Sequence, residues 1–281
     1  MRLCLAVEAA LVEAVRVLPP DVEAALRRAQ EREDGEYAKL ALSHILEDID
    51  IARSSPLPLC QDCGLFLVLV SLGRGCPMPV AEIEREVLEG CRRAVEKASY
   101  RRSAVSDPVY GRTNTGDNLP PVIHWELVDG DGLMVDILLK GFGSENCGGV
   151  RMLRPTEGED GVVSAVVDMV RQAGGKPCPP MFLGIGLGGT MDRAALLSKK
   201  ALVREVGRPN AQARYARLEE RILEEVDRLG IGAGGLGGCN TCLSVAIETA
   251  PTHIAGLPLA LSISCWADRK AHIEWREEWS H

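Results

Sequence analysis

Residues 54–72 read SSPLPLCQDCGLFLVLVSL, a proline-rich turn that leads into a long apolar run. The run from Leu65 to Leu72 is bulky and nearly unbroken, which is typical of a strand covered on both faces. Before the turn, apolar residues recur every three or four positions at 3–18, 22–29 and 40–51, which predicts three helices. The turn therefore divides a helical N-terminal region from a region that forms a sheet.

Beyond residue 72 the pattern alternates between helices and strands. Helical spacing predicts helices at 80–99, 158–173, 191–203 and 211–229, and short apolar runs predict strands at 122–127, 133–139, 181–185, 243–247 and 257–263. The sequence Asp129-Gly130-Asp131-Gly132 resembles a hairpin turn between two of these strands. With no internal repeat and no long linker, the sequence predicts a single α+β domain over residues 1–281, with a mixed β-sheet and packed helices.

The composition excludes several classes of protein. With 281 residues, 46% of them hydrophobic and 26% charged, the chain can bury a large core. A formal charge of -8 and 4% aromatic residues predict no nucleic-acid partner, since phosphates need positive charge and bases need stacking rings. Apolar runs end well short of the ~18 residues that span a membrane, and Glu8 and Glu13 interrupt the N-terminal apolar stretch. We therefore expect a cytoplasmic protein with no signal peptide and no membrane segment.

Ten cysteines are expected to stay reduced in such a protein. The pairs Cys60-x-x-Cys63 and Cys239-x-x-Cys242 together would supply four thiolates for a structural zinc ion. They lie about 180 residues apart, however, far beyond the spacing of compact zinc modules. The alternative, in which Cys63 and Cys242 pack as small apolar residues, is favoured over a zinc-binding protein.

A glycine-rich motif offers a second alternative. Residues 184–189 read GIGLGG after an apolar run and before a predicted helix, and Glu205 follows about twenty residues later, as in an NAD-binding fold. No regular series of βα units surrounds the motif, which disfavours that interpretation. The remaining alternative is a tight strand-to-helix turn whose amides could face an anion.

Polar loops and one histidine leave their roles open. Residues 112–118 and 140–146 are rich in Asn, Gly and Ser, which are typical of ordinary turns. Polar loops at several strand ends are also where ligand-binding groups collect. His253 is either a hydrogen-bonded spacer or a site residue, and its spacing alone does not decide between them.

Three cysteines share a local context. Cys60, Cys178 and Cys265 each lie in a turn beside Pro or Gly, or at the end of a predicted strand. Three thiolates held in this way suit a [4Fe–4S] cluster whose fourth iron has no protein ligand. An iron with an open position is a Lewis acid that can bind a hydroxyl leaving group and a carboxylate together.

With these turns, the sequence resembles the iron–sulfur hydro-lyases, which include the class I fumarases and the α subunit of L-tartrate dehydratase. The P-x-C-Q-D-x-G, C-P-P and S-C-x-A-D/H-R turns of that family match Cys60, Cys178 and Cys265 in order. Two further family motifs, N-T-G-x-N and G-x-G-S-x-N, match residues 114–118 and 141–146. The resemblance extends from the helices before Cys60 to Arg269.

The resemblance implies roles for individual residues. Cys60, Cys178 and Cys265 would bind a [4Fe–4S] cluster with one open iron. Gln61 and Asp62 match positions that contact the substrate, and Asp62 would take part in acid–base chemistry. The remaining matches are an arginine that holds a substrate carboxylate, a glycine whose amide faces the substrate and a histidine of the pocket: Arg101, Gly143 and His253.

The sequence also departs from the family. Cys63 stands where the family commonly has Thr, and Phe142 where it commonly has Gly. Single-chain class I fumarases carry a second domain with a catalytic threonine, and only twelve residues follow Arg269 here. The resemblance therefore implies an α subunit, in an oligomer, that needs a separate β subunit to act on a small dicarboxylate. We expect interconversion of (S)-malate and fumarate, a tricarboxylic acid cycle reaction, and the alternative is dehydration of L-tartrate to oxaloacetate.

Overall fold

A computed structural model describes residues 2–275. Eight α-helices occur in this part of the chain: α1 (Leu3–Ala14), α2 (Pro20–Arg32), α3 (Glu36–Ser54), α4 (Val80–Lys97), α5 (Phe142–Glu145), α6 (Gly158–Ala173), α7 (Met191–Val203) and α8 (Ala213–Asp227). Two 3₁₀ turns lie at Pro155–Glu157 and Ala233–Gly235. None of these helices is both long enough and apolar enough to cross a bilayer.

The strands form two four-stranded mixed sheets. They are β1 (Leu65–Gly73), β2 (Val122–Val128), β3 (Leu133–Lys140), β4 (Gly149–Leu153), β5 (Met181–Gly188), β6 (Cys242–Ala250), β7 (Leu257–Ser264) and β8 (Lys270–Trp275). The first sheet has the order β2-β1-β3-β8, and the second has the order β4-β7-β5-β6. The first two strands are parallel to each other in the first sheet, as are β5 and β6 in the second, and all other neighbours are antiparallel.

The chain forms two compact units from interleaved segments. Within the described residues, unit 1 consists of residues 2–19, 48–141 and 269–275, and unit 2 of residues 20–47 and 142–268. The chain passes between the units at Pro19–Pro20, inside α3 and at the ends of strands. None of these crossings is a long Gly/Ser/Pro-rich linker, which is why the sequence showed no boundary. The assignment of one hydro-lyase domain to residues 1–281 stays a prediction, and Met1 and residues 276–281 lie outside the described residues.

Unit 1 packs one face of its sheet against α1 and α4. Apolar residues spaced three and four apart, such as Leu3, Val7 and Leu11 of α1, are fully buried against the alternate residues Phe66, Val68 and Val70 of β1. This matches the helical and strand periods expected from the sequence. The result is a core between the two helices and the sheet.

Unit 2 covers both faces of its sheet. The bulky odd-numbered residues of β5 pack with α6 and α8, while Gly184 and Gly186 face α7. A Cβ atom on Gly184 would lie 2.2 Å from the carbonyl oxygen of Ser198, and one on Gly186 would lie 2.0 Å from that of Ala194. The glycines are therefore required for the close approach of α7 to β5.

The α+β class with mixed sheets and packed helices is confirmed, and three details differ from expectation. The strands form two sheets rather than one. The segments before and after Asp129–Gly132 are strands, but they do not form a hairpin, because β1 lies between them. Two outer strands, β8 and β4, were not predicted, since both are short and β4 has Arg151 at its centre.

Candidate functional site

The Cys60 turn lies at one edge of the sheet of unit 1. The turn precedes β1, while Gly141 follows β3 and Arg269 precedes β8. Because β3 runs antiparallel to both neighbours, these three positions share one edge. The edge therefore gathers residues from two of the three parts of the chain that form unit 1.

Glycine is required in the Cys60 turn. Gly64 has φ +78°, and a Cβ atom there would lie 2.6 Å from the carbonyl carbon of Lys140. The amide of Gly64 donates to Oδ1 of Asp62 at 3.0 Å. On its other side, Oδ2 of Asp62 lies 3.2 Å from the position of a Cβ on Gly141. The Asp62 carboxylate is thus fixed between the start of β1 and the end of β3.

A buried arginine supports the same turn. Arg269 is only 2% exposed, and its Nη2 donates to the backbone oxygen of Asp62 at 2.7 Å. Its Nε and Nη1 are buried and have no hydrogen-bond partner within the described part of the chain. A buried guanidinium with unused donors points to a negative group in its vicinity, since leaving such donors unpaired is costly. The sequence contained Arg269 in a quoted motif, but its burial depends on contacts 207 positions apart, which no local pattern reveals.

Arg101 lies in the long loop between α4 and β2 and is exposed. Its guanidinium forms no ion pair among the described residues, so it is available to a carboxylate. Its backbone amide donates to Sγ of Cys63 at 3.2 Å. The Cys60 turn and the Arg101 segment are therefore bonded to each other within unit 1.

In unit 2, the turns of Cys178 and Cys265 lie together. Cys178 precedes β5 and Cys265 directly follows β7, and these strands are antiparallel neighbours. The amide of Trp266 donates to the carbonyl oxygen of Cys178 at 3.2 Å. Cys178 adopts φ +55°, which is unusual for a residue other than glycine. The structure thus brings the two cysteines to the same edge of their sheet.

Gly143 lies at this same edge of unit 2. It is the second residue of the single-turn helix α5, and a Cβ atom there would lie 3.7 Å from the carbonyl oxygen of Lys176. Lys176 belongs to the turn that carries Cys178. Gly143 therefore lies close to the turn that carries Cys178, and its role at a substrate site stays a prediction.

His253 lies at the opposite edge of the sheet of unit 2. It is in the loop between β6 and β7, whereas Cys265 follows the other end of β7, about 25 Å away at ~3.3 Å per residue. Its Nδ1 accepts a hydrogen bond from the amide of Ala255 at 3.1 Å. His253 lines a cavity of about 480 Å³ with Arg214 and Tyr215. Within this unit, the structure does not bring His253 to the two cysteines.

The three motif cysteines are more accessible than the buried cysteines of the chain. None of the ten cysteines, all of which are described, forms a disulfide. Cys60 and Cys265 are half-buried and Cys178 is exposed, so their thiols can be reached. By contrast, burial raises the pKa of Cys91 to about 12 and raises the pKa values of Cys63 and Cys242, which keeps these groups protonated. The accessible thiols are the donor chemistry that iron prefers.

The zinc alternative finds no support in the geometry. Cys63 and Cys242 are buried as small apolar residues, which confirms the packing interpretation. Among the described residues, one group of three candidate metal ligands has its ligand atoms within 4.8 Å of one another, and it consists of Glu33, Asp34 and Cys239. The Glu33 carboxylate accepts hydrogen bonds from the amides of Gly35 and Cys239 and from Nδ2 of Asn240. This group contains a single thiol rather than the expected four.

The NAD-binding alternative is also not supported. Residues 184–188 of the glycine motif lie inside β5 and pair with β6 and β7, so their amides are not in a phosphate-binding loop. The strand is eight residues long rather than about four. The glycines serve the packing of α7, as described above.

Comparison with known proteins identifies the family of this chain. The profile of the family described as fumarate hydratase (Fumerase) matches residues 5–274. A match over nearly the whole chain defines an enzyme of the hydro-lyase class. The chain belongs to the fumarate hydratase (Fumerase) family.

Several relatives are similar over most of the chain. A protein of Methanocaldococcus jannaschii, provisionally named L(+)-tartrate dehydratase subunit alpha, is 40% identical over 264 residues, which cover 92% of each chain. The L(+)-tartrate dehydratase subunit alpha of Escherichia coli strain UTI89 is 31% identical over 260 residues, 91% of this chain and 85% of the relative. The corresponding protein of strain K12 is 30% identical with the same coverage.

Proposed function

We propose that this chain is the cluster-bearing α subunit of a two-subunit hydro-lyase that interconverts (S)-malate and fumarate. The observation that supports this most directly is the joining of the Cys178 and Cys265 turns in unit 2 by the Trp266 amide. The accessible thiol of Cys60, in a glycine-dependent turn of unit 1, supplies the third ligand of the proposed [4Fe–4S] cluster. We further propose a cytoplasmic oligomer.

When bound, such a cluster supplies an open iron that acts as a Lewis acid on the substrate hydroxyl. The chain's own residues bind and orient the dicarboxylate. The exposed guanidinium of Arg101 binds one carboxylate through a fork of N–H donors. The Gln61 side chain and the Gly143 amide donate further hydrogen bonds. The unused donors of Arg269 contribute positive charge beside the Cys60 turn.

Proton transfer is divided between this chain and its partner in the proposal. Asp62 holds a proton on the α side, with its carboxylate oriented by the Gly64 amide. The principal base comes from the β subunit, a requirement in line with the name "subunit alpha" of the relatives. The role predicted for His253 stays a prediction. His253→Asn is expected to leave the iron content unchanged and to lower kcat about 10-fold or more, whereas an unchanged kcat would contradict that role.

L(+)-tartrate is the second candidate substrate. The names of the relatives from M. jannaschii and E. coli favour it. Tartrate differs from malate by one additional hydroxyl, so the same carboxylate contacts serve both. The choice then depends on the few groups near the third carbon, some of them in the β subunit.

The decisive experiment is anaerobic reconstitution of the α subunit with iron and sulfide, followed by addition of the β subunit. We expect about four irons per chain, a broad visible charge-transfer band and turnover of malate. Rates on (S)-malate and L(+)-tartrate, measured with the same preparation, distinguish the two candidates. A colourless protein that binds zinc instead would overturn the cluster.

A further inference from the structure

The loop that carries Arg101 is held by a buried asparagine. Asn118 is 0% exposed and adopts φ +60°. Its Oδ1 accepts hydrogen bonds from the amides of Ser103 at 2.5 Å and Ala104 at 3.0 Å. Its Nδ2 donates to the carbonyl oxygen of Arg101 at 2.9 Å. One side chain therefore fixes the backbone of a four-residue segment.

The other side of the Arg101 backbone is bonded as well. The Arg101 amide donates to the Sγ of Cys63, which is fully buried. Both backbone polar groups of Arg101 are thus satisfied by side chains distant in sequence. Nearby, Nδ2 of Asn114 donates to the carbonyl oxygen of Arg102 at 2.8 Å. The side-chain hydrogen bonds to the backbone of residues 101–104 are more than a loop needs if it only connects two elements of secondary structure.

The backbone and the side chain of Arg101 differ in how far they are held, which indicates a role in ligand binding. The Arg101 backbone is held, yet its guanidinium is exposed and forms no ion pair within the described part of the chain. Ordering the backbone of a residue costs conformational entropy. If the backbone is already ordered in the folded protein, this entropy is not lost again when the ligand binds. A preordered arginine therefore binds a carboxylate more tightly.

We propose that Asn118 and Cys63 are positioning residues that hold the backbone of Arg101 so that its guanidinium meets one carboxylate of the substrate. This inference rests on the proposed function, since it takes the substrate to be a dicarboxylate. It also gives Cys63 a role beyond apolar packing, as the acceptor of the Arg101 amide. Threonine, which is commonly found at that position in the family, also carries a group that can accept a hydrogen bond.

The test uses the reconstituted αβ complex and two unreactive ligands. Succinate has two carboxylates and no hydroxyl, and butyrate is its matched monocarboxylate. Asn118→Gly removes the amide without strain, because glycine tolerates φ +60°. We expect Asn118→Gly to weaken succinate binding about 10-fold, to leave butyrate binding unchanged and to retain the iron. Hydrogen exchange at the amides of residues 103 and 104 should become faster.

Cys63 provides an independent pair of variants. Cys63→Ala removes the acceptor of the Arg101 amide and should weaken succinate binding severalfold. Cys63→Thr keeps an acceptor of similar size and should bind succinate as the wild type does. Asn118→Asp, which keeps the acceptor oxygen but loses the donor to Arg101, serves if Asn118→Gly does not fold.

A double-mutant cycle separates positioning from general destabilisation. In an Arg101→Ala background, Asn118→Gly should cause no further loss of succinate binding, because its effect passes through Arg101. Asn240→Gly is the matched control: Asn240 is a buried, hydrogen-bonded asparagine of unit 2, and its loss should lower stability without changing succinate binding.

Three results would count against the inference. Wild-type succinate binding in Asn118→Gly and Cys63→Ala would overturn it while leaving the proposed function intact. Full additivity of Asn118→Gly with Arg101→Ala would do the same. A wild-type complex with neither turnover nor succinate binding would overturn the proposed function, and this inference with it.

Discussion

The two sheets of this protein have the same strand order and directions. In unit 1, β1 and β2 form the parallel pair, β3 lies antiparallel to β1, and β8 is the outer strand, antiparallel to β3. In unit 2 the same positions are taken by β5, β6, β7 and β4. No sequence repeat accompanies this topology. Even so, Cys60 and Cys178 occupy equivalent positions, each just before the first strand of its parallel pair.

The units differ in how the parallel pair is connected. In unit 2 the connection contains two helices, α7 and α8, one on each face of the sheet. In unit 1 it contains the single helix α4, and the remaining 98–121 form the loop of Arg101 and Asn118. The same sheet topology therefore supports two different structures in the two units. Unit 2 provides a rigid packed frame for two cysteines, and unit 1 provides an exposed cationic loop beside a third.

The largest effect is expected on the iron content, when Cys60 or Cys178 is replaced. These variants test whether the two cysteines have equivalent roles. Cys60→Ser in unit 1 and Cys178→Ser in unit 2 should each reduce the iron content from about four per chain to less than one after reconstitution. Cys265→Ser should do the same. Iron and sulfide analysis with visible spectra measures this.

Cys239→Ser is the matched control, because Cys239 is an exposed thiol of unit 2 outside the proposed ligand set. It should keep its iron. Retention of a full cluster by Cys60→Ser, with loss in Cys178→Ser, would show that the two positions are not functionally equivalent.

A second prediction concerns the packed frame of unit 2. Gly186→Ala places a Cβ atom 2.0 Å from a backbone oxygen of α7, which neither a rotamer change nor a small shift relieves. We expect a loss of about 3 kcal/mol in the free energy of unfolding, measured by chemical denaturation. Gly132→Ala in unit 1 has no atom within 4 Å of the new Cβ and should change stability by less than about 0.5 kcal/mol. Equal effects would contradict the packing argument.

A third prediction separates crowding from backbone strain in unit 1. Gly64 and Gly116 both have positive φ, but only Gly64 has backbone atoms where a Cβ would lie. Gly116→Ala should lower the free energy of unfolding by about 1 kcal/mol, because alanine is strained at positive φ. Gly64→Ala should cost about 2 kcal/mol or more by the same thermal or chemical denaturation, since it adds a steric clash. Equal losses of unfolding free energy in the two variants would show that the close contact between Gly64 and Lys140 does not limit the residue at position 64.

The smallest effects concern buried carboxyl groups, which respond to acid in opposite directions. In unit 1, hydrogen bonds from Lys97 and Arg93 lower the pKa of Glu8. Its contribution to stability is therefore present above its ordinary pKa and is lost as the pH falls through the lowered value. In unit 2, burial raises the pKa of Asp227, against hydrogen bonds from the amides of Cys242 and Thr241. Its contribution is full below its ordinary pKa and is lost as the pH rises through the raised value.

Two variants report this contrast. Asp227→Asn keeps an acceptor oxygen for both amides, so it should be neutral or stabilising by less than about 1 kcal/mol at pH 7. Relative to the wild type, that gain should shrink toward pH 4. Glu8→Gln should be destabilising at pH 7, and its deficit should shrink in acid. Unfolding free energies measured between pH 4 and pH 7 test both, and a gain for Asp227→Asn that grows in acid would contradict the assignment.

Periodicity predicted most helices and the central strands because local burial repeats along the chain. It did not predict which strands become neighbours. The turn at Asp129–Gly132 has hairpin chemistry, yet β1 pairs with both flanking strands because its run from Leu65 to Leu72 requires cover on both edges and both faces. The alternation of polar and apolar residues in β8 is typical of a half-buried strand, but the strand is only six residues long and its place in the sheet follows from its pairing with β3.

At the candidate site, turn motifs indicated which cysteines to consider, and their role as ligands stays a prediction. Contacts between residues distant in sequence placed the groups that the motifs did not indicate. Cys178 and Cys265 were predicted as partners from their motifs, and the structure joins their turns. The burial of Arg269, with its bond to Asp62, arises from the pairing of β8 and is invisible locally. The placement of His253 beyond the far end of β7 likewise depends on strand direction, which its Thr-His-Ile context does not encode.

The interleaving of the two units has a consequence for the nascent chain. Unit 2 has all its segments once residue 268 has left the ribosome, whereas the sheet of unit 1 lacks its last strand until 270–275 follow. The edge of β3 that β8 will cover emerges about 130 residues earlier. At ~5–20 residues per second, translation leaves that edge without its native partner for on the order of 10 s. An uncovered strand edge is a template for misassociation, so the period of greatest risk during synthesis belongs to unit 1.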